Sequence, residues 1–185
     1  MDLVIFGDFN CPYSALASER AARLERAGVA HVDWRAVEHD PTIPPAGEVV
    51  EGTVRADLDE ELEKVHGLLV AGDEFAPHRP PVRSNTAAAV EQYAGVEPDR
   101  RARVRVELFR RYGLLGEDLG DERVVDTLGG QRDPVTAAAW NREWSDLGQP
   151  VVPTMRLPDG YVSRGLGALK RLADLLEPGG GQPIP

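Results

Sequence analysis

Within its first 37 residues the chain lays out a strand, a helix and a second strand, and no other feature restricts its fold as strongly. Leu3-Val4-Ile5-Phe6 is a short apolar run suited to a central strand, and Gly7-Asp8 ends it. Leu16, Ala17, Ala21, Leu24 and Ala27 then recur at helical spacing. Glu19, Arg20, Arg23 and Glu25 fall on the other face, and Gly28 closes the helix. From Val29 to Val37 the pattern alternates, with Val32, Trp34 and Ala36 on one side and Asp33 and Arg35 on the other. Two strands joined through a helix imply parallel pairing and a right-handed crossover.

The first turn of this unit reads Asp8-Phe9-Asn10-Cys11-Pro12-Tyr13-Ser14 and holds the only cysteine of the chain. Lone cysteines are most often packing residues. A cysteine between a buried strand and a helix start has a second reading. Unpaired N–H groups and the aligned peptide dipoles there favour negative charge, and the thiolate is the nucleophile. The expectation is therefore a Cys11 thiol pKa below the free value of about 8.5. Pro12 suits the first helical position, where its missing N–H costs nothing. Asp8 either influences the thiolate or simply ends the strand.

The net charge of -10 over 185 residues argues against a nucleic-acid partner. Arg100, Arg101, Arg103, Arg105, Arg110 and Arg111 share a helix with Glu97, Asp99 and Glu107 and are expected on a solvated face. His31, His39, His66 and His78 show no metal-ligand spacing, so no metal is expected. Met1-Asp2 leads straight into the first strand without a signal-like stretch, and no segment has the length of a membrane span. With one cysteine there is no internal disulfide. A cytoplasmic protein without a membrane partner is expected.

Pro41, Pro44, Pro45 and Gly47 mark a boundary, after which the pattern turns helical to about Gly130. Leu58, Leu62, Val65 and Leu69 form one apolar stripe, and Pro77 to Pro81 a loop. Ser84 or Asn85 caps a helix over Thr86 to Ala94, Pro98 opens another, and Glu122 to Leu128 forms a short one. Asp133-Pro134 starts a helix with Trp140 and Trp144 as core anchors. Val151-Val152-Pro153-Thr154-Met155 begins a strand, Asp159-Gly160 turns it back, and Leu169, Leu172, Ala173 and Leu176 line a last helix. The expected fold class is α/β, a four-stranded mixed sheet with helices on both faces and an inserted all-helical subdomain. Residues 1–45 with 131–178 form the sheet domain, 46–130 the insertion and 179–185 a flexible tail.

The Cys-Pro-x-x turn and the distant Val-Pro-Thr strand start together resemble the thioredoxin superfamily. Within it the chain resembles the DsbA-like group, with its FrnE-like oxidoreductases, 2-hydroxychromene-2-carboxylate isomerases and kappa-class glutathione transferases. Arg83-Ser84-Asn85-Thr86, Val106 to Tyr112 and Gly116 to Asp121 extend the resemblance over roughly residues 3 to 177. It implies a thioredoxin-like sheet, a cis Val152–Pro153 bond and a Val152 backbone free to pair with an extended substrate. FrnE-like oxidoreductases usually carry a second cysteine where this chain has Ser14. The isomerases and transferases usually carry serine where it has Cys11. At the start of the last helix, Ser163-Arg164-Gly165-Leu166-Gly167 lacks the acid that glutathione-using relatives tend to show.

On this basis Cys11 and Ser14 are the catalytic candidates, and Pro12, Tyr13, Val152, Pro153 and Thr154 the substrate-binding ones. The leading expectation is a monothiol thiol–disulfide oxidoreductase, an isomerase or a reductase of mixed disulfides. Ser14 would donate to the sulfur without resolving the intermediate. The first alternative is an isomerase or glutathione-transferase-like enzyme acting on a small hydrophobic electrophile with a thiol cofactor. The second is a thioredoxin-like binding domain without turnover. No tightly bound cofactor is expected, with glutathione or another low-molecular-weight thiol as co-substrate. The partner would be a disulfide-containing protein or small molecule, and a homodimer stays open.

Overall fold

In the computed structural model, which describes residues 1–74 and 77–177, strand β1 (Asp2–Gly7) runs through the middle of a four-stranded sheet. It pairs in parallel with β2 (His31–Ala36), Ile5 opposite Trp34. On its other side it pairs antiparallel with β5 (Thr154–Arg156), Phe6 opposite Thr154. The edge strand β6 (Val162–Arg164) follows β5 in a hairpin, giving the order β2-β1-β5-β6. The crossover between β1 and β2 is helix α1 (Pro12–Arg26), as the opening pattern predicts.

Helices cover the sheet because β1 buries residues on both of its faces, Leu3, Ile5 and Phe6 being fully inaccessible. Helix α7 (Leu166–Leu176) packs on α1, and α6 (Pro134–Asp146) on β2. Asp133 caps α6 by accepting the Thr136 N–H. Helices α3 (Ala87–Ala94) and α4 (Pro98–Gly113) contribute to the same core. Their Tyr93 and Phe109 rings lie 5.5 and 5.1 Å from Phe9. Helix α5 (Glu122–Asp126) is the short one. Helix α2 (Gly52–His66) stands more apart: its Leu58 and Leu62 join Val50 in a small separate cluster, and Val65 alone reaches the main core.

Several expectations need correction. The segment between 46 and 130 is not wholly helical, because β3 (Glu48–Val49) and β4 (Val82–Arg83) pair antiparallel at the base of α2. Two-residue strands are too short to leave an alternating pattern. Leu69 lies beyond the end of α2 and is 36% exposed, outside the stripe assigned to it. Ser84 does not cap α3; its hydroxyl donates to Asp118 and accepts the Leu119 N–H, while Asn85 Oδ1 accepts the Ala87 N–H. Arg105, expected on a solvated face, and Arg20, opposite the apolar stripe of α1, are both 1% exposed. Arg20 is satisfied by Asp73 and by the carbonyls of Leu68 and Leu169. Arg105 bonds Ser18 and Glu25 and lies over the Trp34 ring. Each buried charge is paired with a carboxylate and further hydrogen-bond partners, which periodicity cannot reveal. The tail expected over 179–185 lies outside the described residues.

Candidate active site

Cys11 is the residue immediately before the first turn of α1, in extended conformation, with Pro12 opening the helix. Its N–H donates to the Asp8 carbonyl at 3.2 Å, and its carbonyl accepts the Ala15 N–H at 3.0 Å. Cys11 as a residue is half-buried and lines a surface cavity. Ser14, one turn on, is fully buried beneath it. The Ser14 hydroxyl oxygen accepts the Asp8 N–H at 3.3 Å, which leaves its proton for the Cys11 sulfur.

The resting charge of the sulfur differs from the sequence expectation. Burial pushes the Cys11 thiol up to about 11, and the negative charges of Asp8 and Glu61 add to the rise. The Ser14 N–H and hydroxyl pull in the opposite direction and only partly offset it. The helix start is present as expected, but desolvation outweighs it, so Cys11 rests as the neutral thiol at pH 7.

Asp8 has a larger role than ending a strand. It is completely buried, and burial holds its carboxyl above the usual carboxylate range. Its oxygens accept the His39 N–H at 2.7 Å, the Thr86 hydroxyl at 2.7 Å and the Asn10 N–H at 3.4 Å. The Asn10 side chain in turn donates to the Ser84 carbonyl. These bonds tie the Cys11 turn to the end of β2 and to the start of α3.

The cavity on the sulfur measures about 470 Å³. Asn10, Cys11 and Tyr13 form its floor, Val151 and Val152 one wall, His39, Arg83 and Tyr112 another, and Val54, Asp57, Leu58 and Glu61 of α2 its roof. Of the candidate residues, Cys11, Tyr13 and Val152 therefore meet. Pro12 lines a narrow apolar crevice on the other side of Cys11. Pro153 and Thr154 are buried and do not line the cavity. The Val152–Pro153 bond is cis. Trp144 Nε1 and the Thr154 hydroxyl both donate to the Val151 carbonyl, and Gly165 N–H to the Pro153 carbonyl. Between them, among the described residues, the Val152 amide and carbonyl take no hydrogen bond.

Sequence reasoning missed the roof and far wall. Asp57, Glu61 and His39 are exposed and Tyr112 belongs to the core, so nothing in their own sequence pattern marks them as cavity residues. The positions of Arg83 and Tyr112 in resembling motifs were the hints of that wall.

Residues 2–139 match the family described as DSBA-like thioredoxin domain. The chain belongs to that family. Among curated proteins, no sequence matches it. Of solved structures, 2-hydroxychromene-2-carboxylate isomerase is similar to this DSBA-like chain with a TM-score of 0.69 at 18% identity, covering 95% of this chain and 92% of the other. The cytosolic disulfide reductase DsbM from Pseudomonas aeruginosa, with GSH, is similar with a TM-score of 0.63 at 16% identity, covering 95% of each chain. At these identities the likeness concerns the fold. It places a DSBA-like sheet and its helical insertion within an architecture shared by isomerases and disulfide reductases. Among the described residues no helix is long and apolar enough to cross a membrane.

Proposed function

We propose that this DSBA-like protein is a monothiol thiol–disulfide oxidoreductase acting in a reducing compartment, with Cys11 as attacking atom. The carrying observation is the half-buried Cys11 at the floor of a cavity, its sulfur held by the Ser14 N–H and hydroxyl. In the forward step the thiolate attacks one sulfur of a substrate disulfide. A Cys11–substrate bond forms, the substrate S–S bond breaks, and the leaving sulfur departs with the electron pair and takes up a proton. Ser14 stabilises the ionised sulfur and has no second thiol to offer. A low-molecular-weight thiol such as glutathione, as its thiolate, then attacks the substrate sulfur of the mixed disulfide. A thiol–substrate disulfide forms, the Cys11–substrate bond breaks, and the Cys11 sulfur leaves with the electron pair and regains a proton. Tyr13 and the free Val152 backbone orient the partner, while Pro12, Pro153 and Thr154 hold those groups in place. The 46–130 segment serves as the lid of the 1–45 and 131–178 sheet domain.

The neutral resting thiol favours one second reading, in which a small bound thiol is the nucleophile and isomerises a hydrophobic electrophile in the same cavity. One experiment separates the two. Exposure to glutathione disulfide should leave an adduct on Cys11 by intact mass, and Cys11→Ser should abolish both adduct and disulfide turnover. Full turnover by Cys11→Ser would remove the cysteine as attacking atom and leave the second reading.

A further inference from the structure

We infer that the Cys11 cavity selects disulfides on extended peptide segments that carry lysine or arginine beside the cysteine, with Glu61 and Asp57 as selecting residues and Tyr112 as a carbonyl anchor. The inference rests on Cys11 being the attacking atom.

Two independent observations meet here. The first is an unsatisfied donor. Tyr112 is 6% exposed and lines the cavity; the Ser84 N–H acts on its hydroxyl oxygen as a donor, yet among the described residues the hydroxyl proton has no acceptor. A buried donor without an acceptor costs stability unless something supplies one. A ligand carbonyl would do so, and a peptide running along the unpaired Val152 backbone carries carbonyls at regular spacing.

The second observation is the charge balance. Asp8 from the end of β1, Ser14 and Tyr13 from α1, and His39 from the loop after β2 face the Cys11 cavity or the turn beneath it. Asp57 and Glu61 face it from α2, Arg83 from β4 and Tyr112 from α4. Among the described residues that line the cavity Arg83 is the one permanent cation, and it pairs with Asp40 at 3.0 Å and Glu48 at 3.3 Å. Arg83, and Lys64 on the same helix as Glu61, act on Glu61 only through space. Asp57 and Glu61 stand four residues apart on one helix face and, among the described residues, have no ion-pair partner. Partial burial holds the Glu61 carboxyl above its ordinary range and the Asp57 carboxylate adds to the rise, while Arg83, His39 and Lys64 pull it part of the way back. Glu61 also opposes ionisation of the sulfur. A cation seated against Glu61 cancels that opposition, so the favoured substrate assists ionisation of its own nucleophile. An anionic partner strengthens the opposition. The net charge of -10 draws cationic partners from a distance with the same sign.

The test uses the full-length protein and three end-capped tripeptides, Lys-Cys-Lys, Gln-Cys-Gln and Glu-Cys-Glu, each as its mixed disulfide with 2-thiopyridine. Attack by Cys11 on the peptide sulfur forms the Cys11–peptide disulfide. The thiopyridine sulfur leaves with the electron pair and a proton as 2-thiopyridone, followed by absorbance. Each rate is divided by that of 2-mercaptoethanol with the same probe. The lysine peptide should react about tenfold or more faster than the glutamate peptide, with the glutamine peptide between. High salt should narrow the gap. Glu61→Gln should reduce the ratio about threefold, Asp57→Asn less, and Glu63→Gln on the outer face not at all. Tyr112→Phe should slow all three peptides alike and leave the ratio unchanged. Equal normalised rates for the three peptides overturn the inference and leave Cys11 chemistry standing. A ratio unmoved by Glu61→Gln overturns the assignment to the lid, and a Tyr112→Phe variant as fast as the parent overturns the anchor. Release of no thiopyridone from any probe overturns the Cys11 reading itself.

Discussion

Cys11 shows how a single atom can be placed by one effect and tuned by another. The strand-to-helix turn presents the sulfur at a helix start, where negative charge is favoured, while burial and the Asp8 and Glu61 charges act against it. The balance makes alkylation of Cys11 by a neutral reagent rise steadily with pH toward about 11. A plateau near or below the free-cysteine value of about 8.5 would show that the helix start prevails. Ser14→Ala removes a hydrogen bond that favours the thiolate, so the thiol moves up further, and alkylation at neutral pH should slow about tenfold. Gly7 matters at the same scale for space. A Cβ there would collide with the Trp34 ring and come within 3.2 Å of Ser14 Cβ. Gly7→Ala should cost about 2 kcal/mol by urea denaturation, within the usual range for overpacking.

Among the elements, α1 carries the site and α2 roofs it, and the two are attached very differently. Helix α1 buries ten residues and packs against α7 and α4. Helix α2 buries three and contributes mainly to a satellite cluster. The chain leaving α2 is instead held by charge. Asp73, with no side-chain exposure, pairs with Arg20 and Arg23, each at 2.6 Å, and accepts the Val70 N–H. Arg20 also donates to Leu68 O beyond α2 and to Leu169 O in α7. Arg20→Met strips most of the compensation from a buried carboxylate and should cost about 3 kcal/mol by urea denaturation. Amide exchange in α2 should accelerate with it, since the clamp fastens the roof to α1. A fall in stability that leaves α2 exchange unchanged would separate the clamp from the roof.

For the whole molecule, stability and charge are linked through carboxyls of two kinds. Asp8, Glu19, Glu38 and Glu61 are all raised, in each case chiefly by burial. Between their unfolded values near 4 and their raised folded values, the folded state binds more protons, so stability falls as pH rises through that window. Glu107, lowered to about 2 by its Arg110 and Arg111 partners, works in the other direction, as does Asp73. Their contribution is present above the unfolded value and lost below it. The Tm should therefore be higher near pH 5 than at pH 7, and fall again below about 4 as these ion pairs are protonated. A Tm that climbs from pH 5 to pH 7 would contradict this balance.

What the residues themselves determined is whatever depends on neighbours along the chain. Period-two and period-3.6 patterns are local, so the strand–helix–strand opening, the cysteine at its turn and the closing β5–β6 hairpin were all legible. The Val-Pro-Thr segment could be joined to Cys11 only through a family resemblance. Tertiary structure alone decided the buried partners of Arg20 and Arg105, the two short strands at the base of α2, and the roof of Asp57 and Glu61 over the sulfur. Charge on a helix reads as solvated until another element covers it, and a cysteine reads as ionised until the depth of its burial is known. Desolvation and Coulomb energy depend on distances through space, and sequence spacing does not encode those distances.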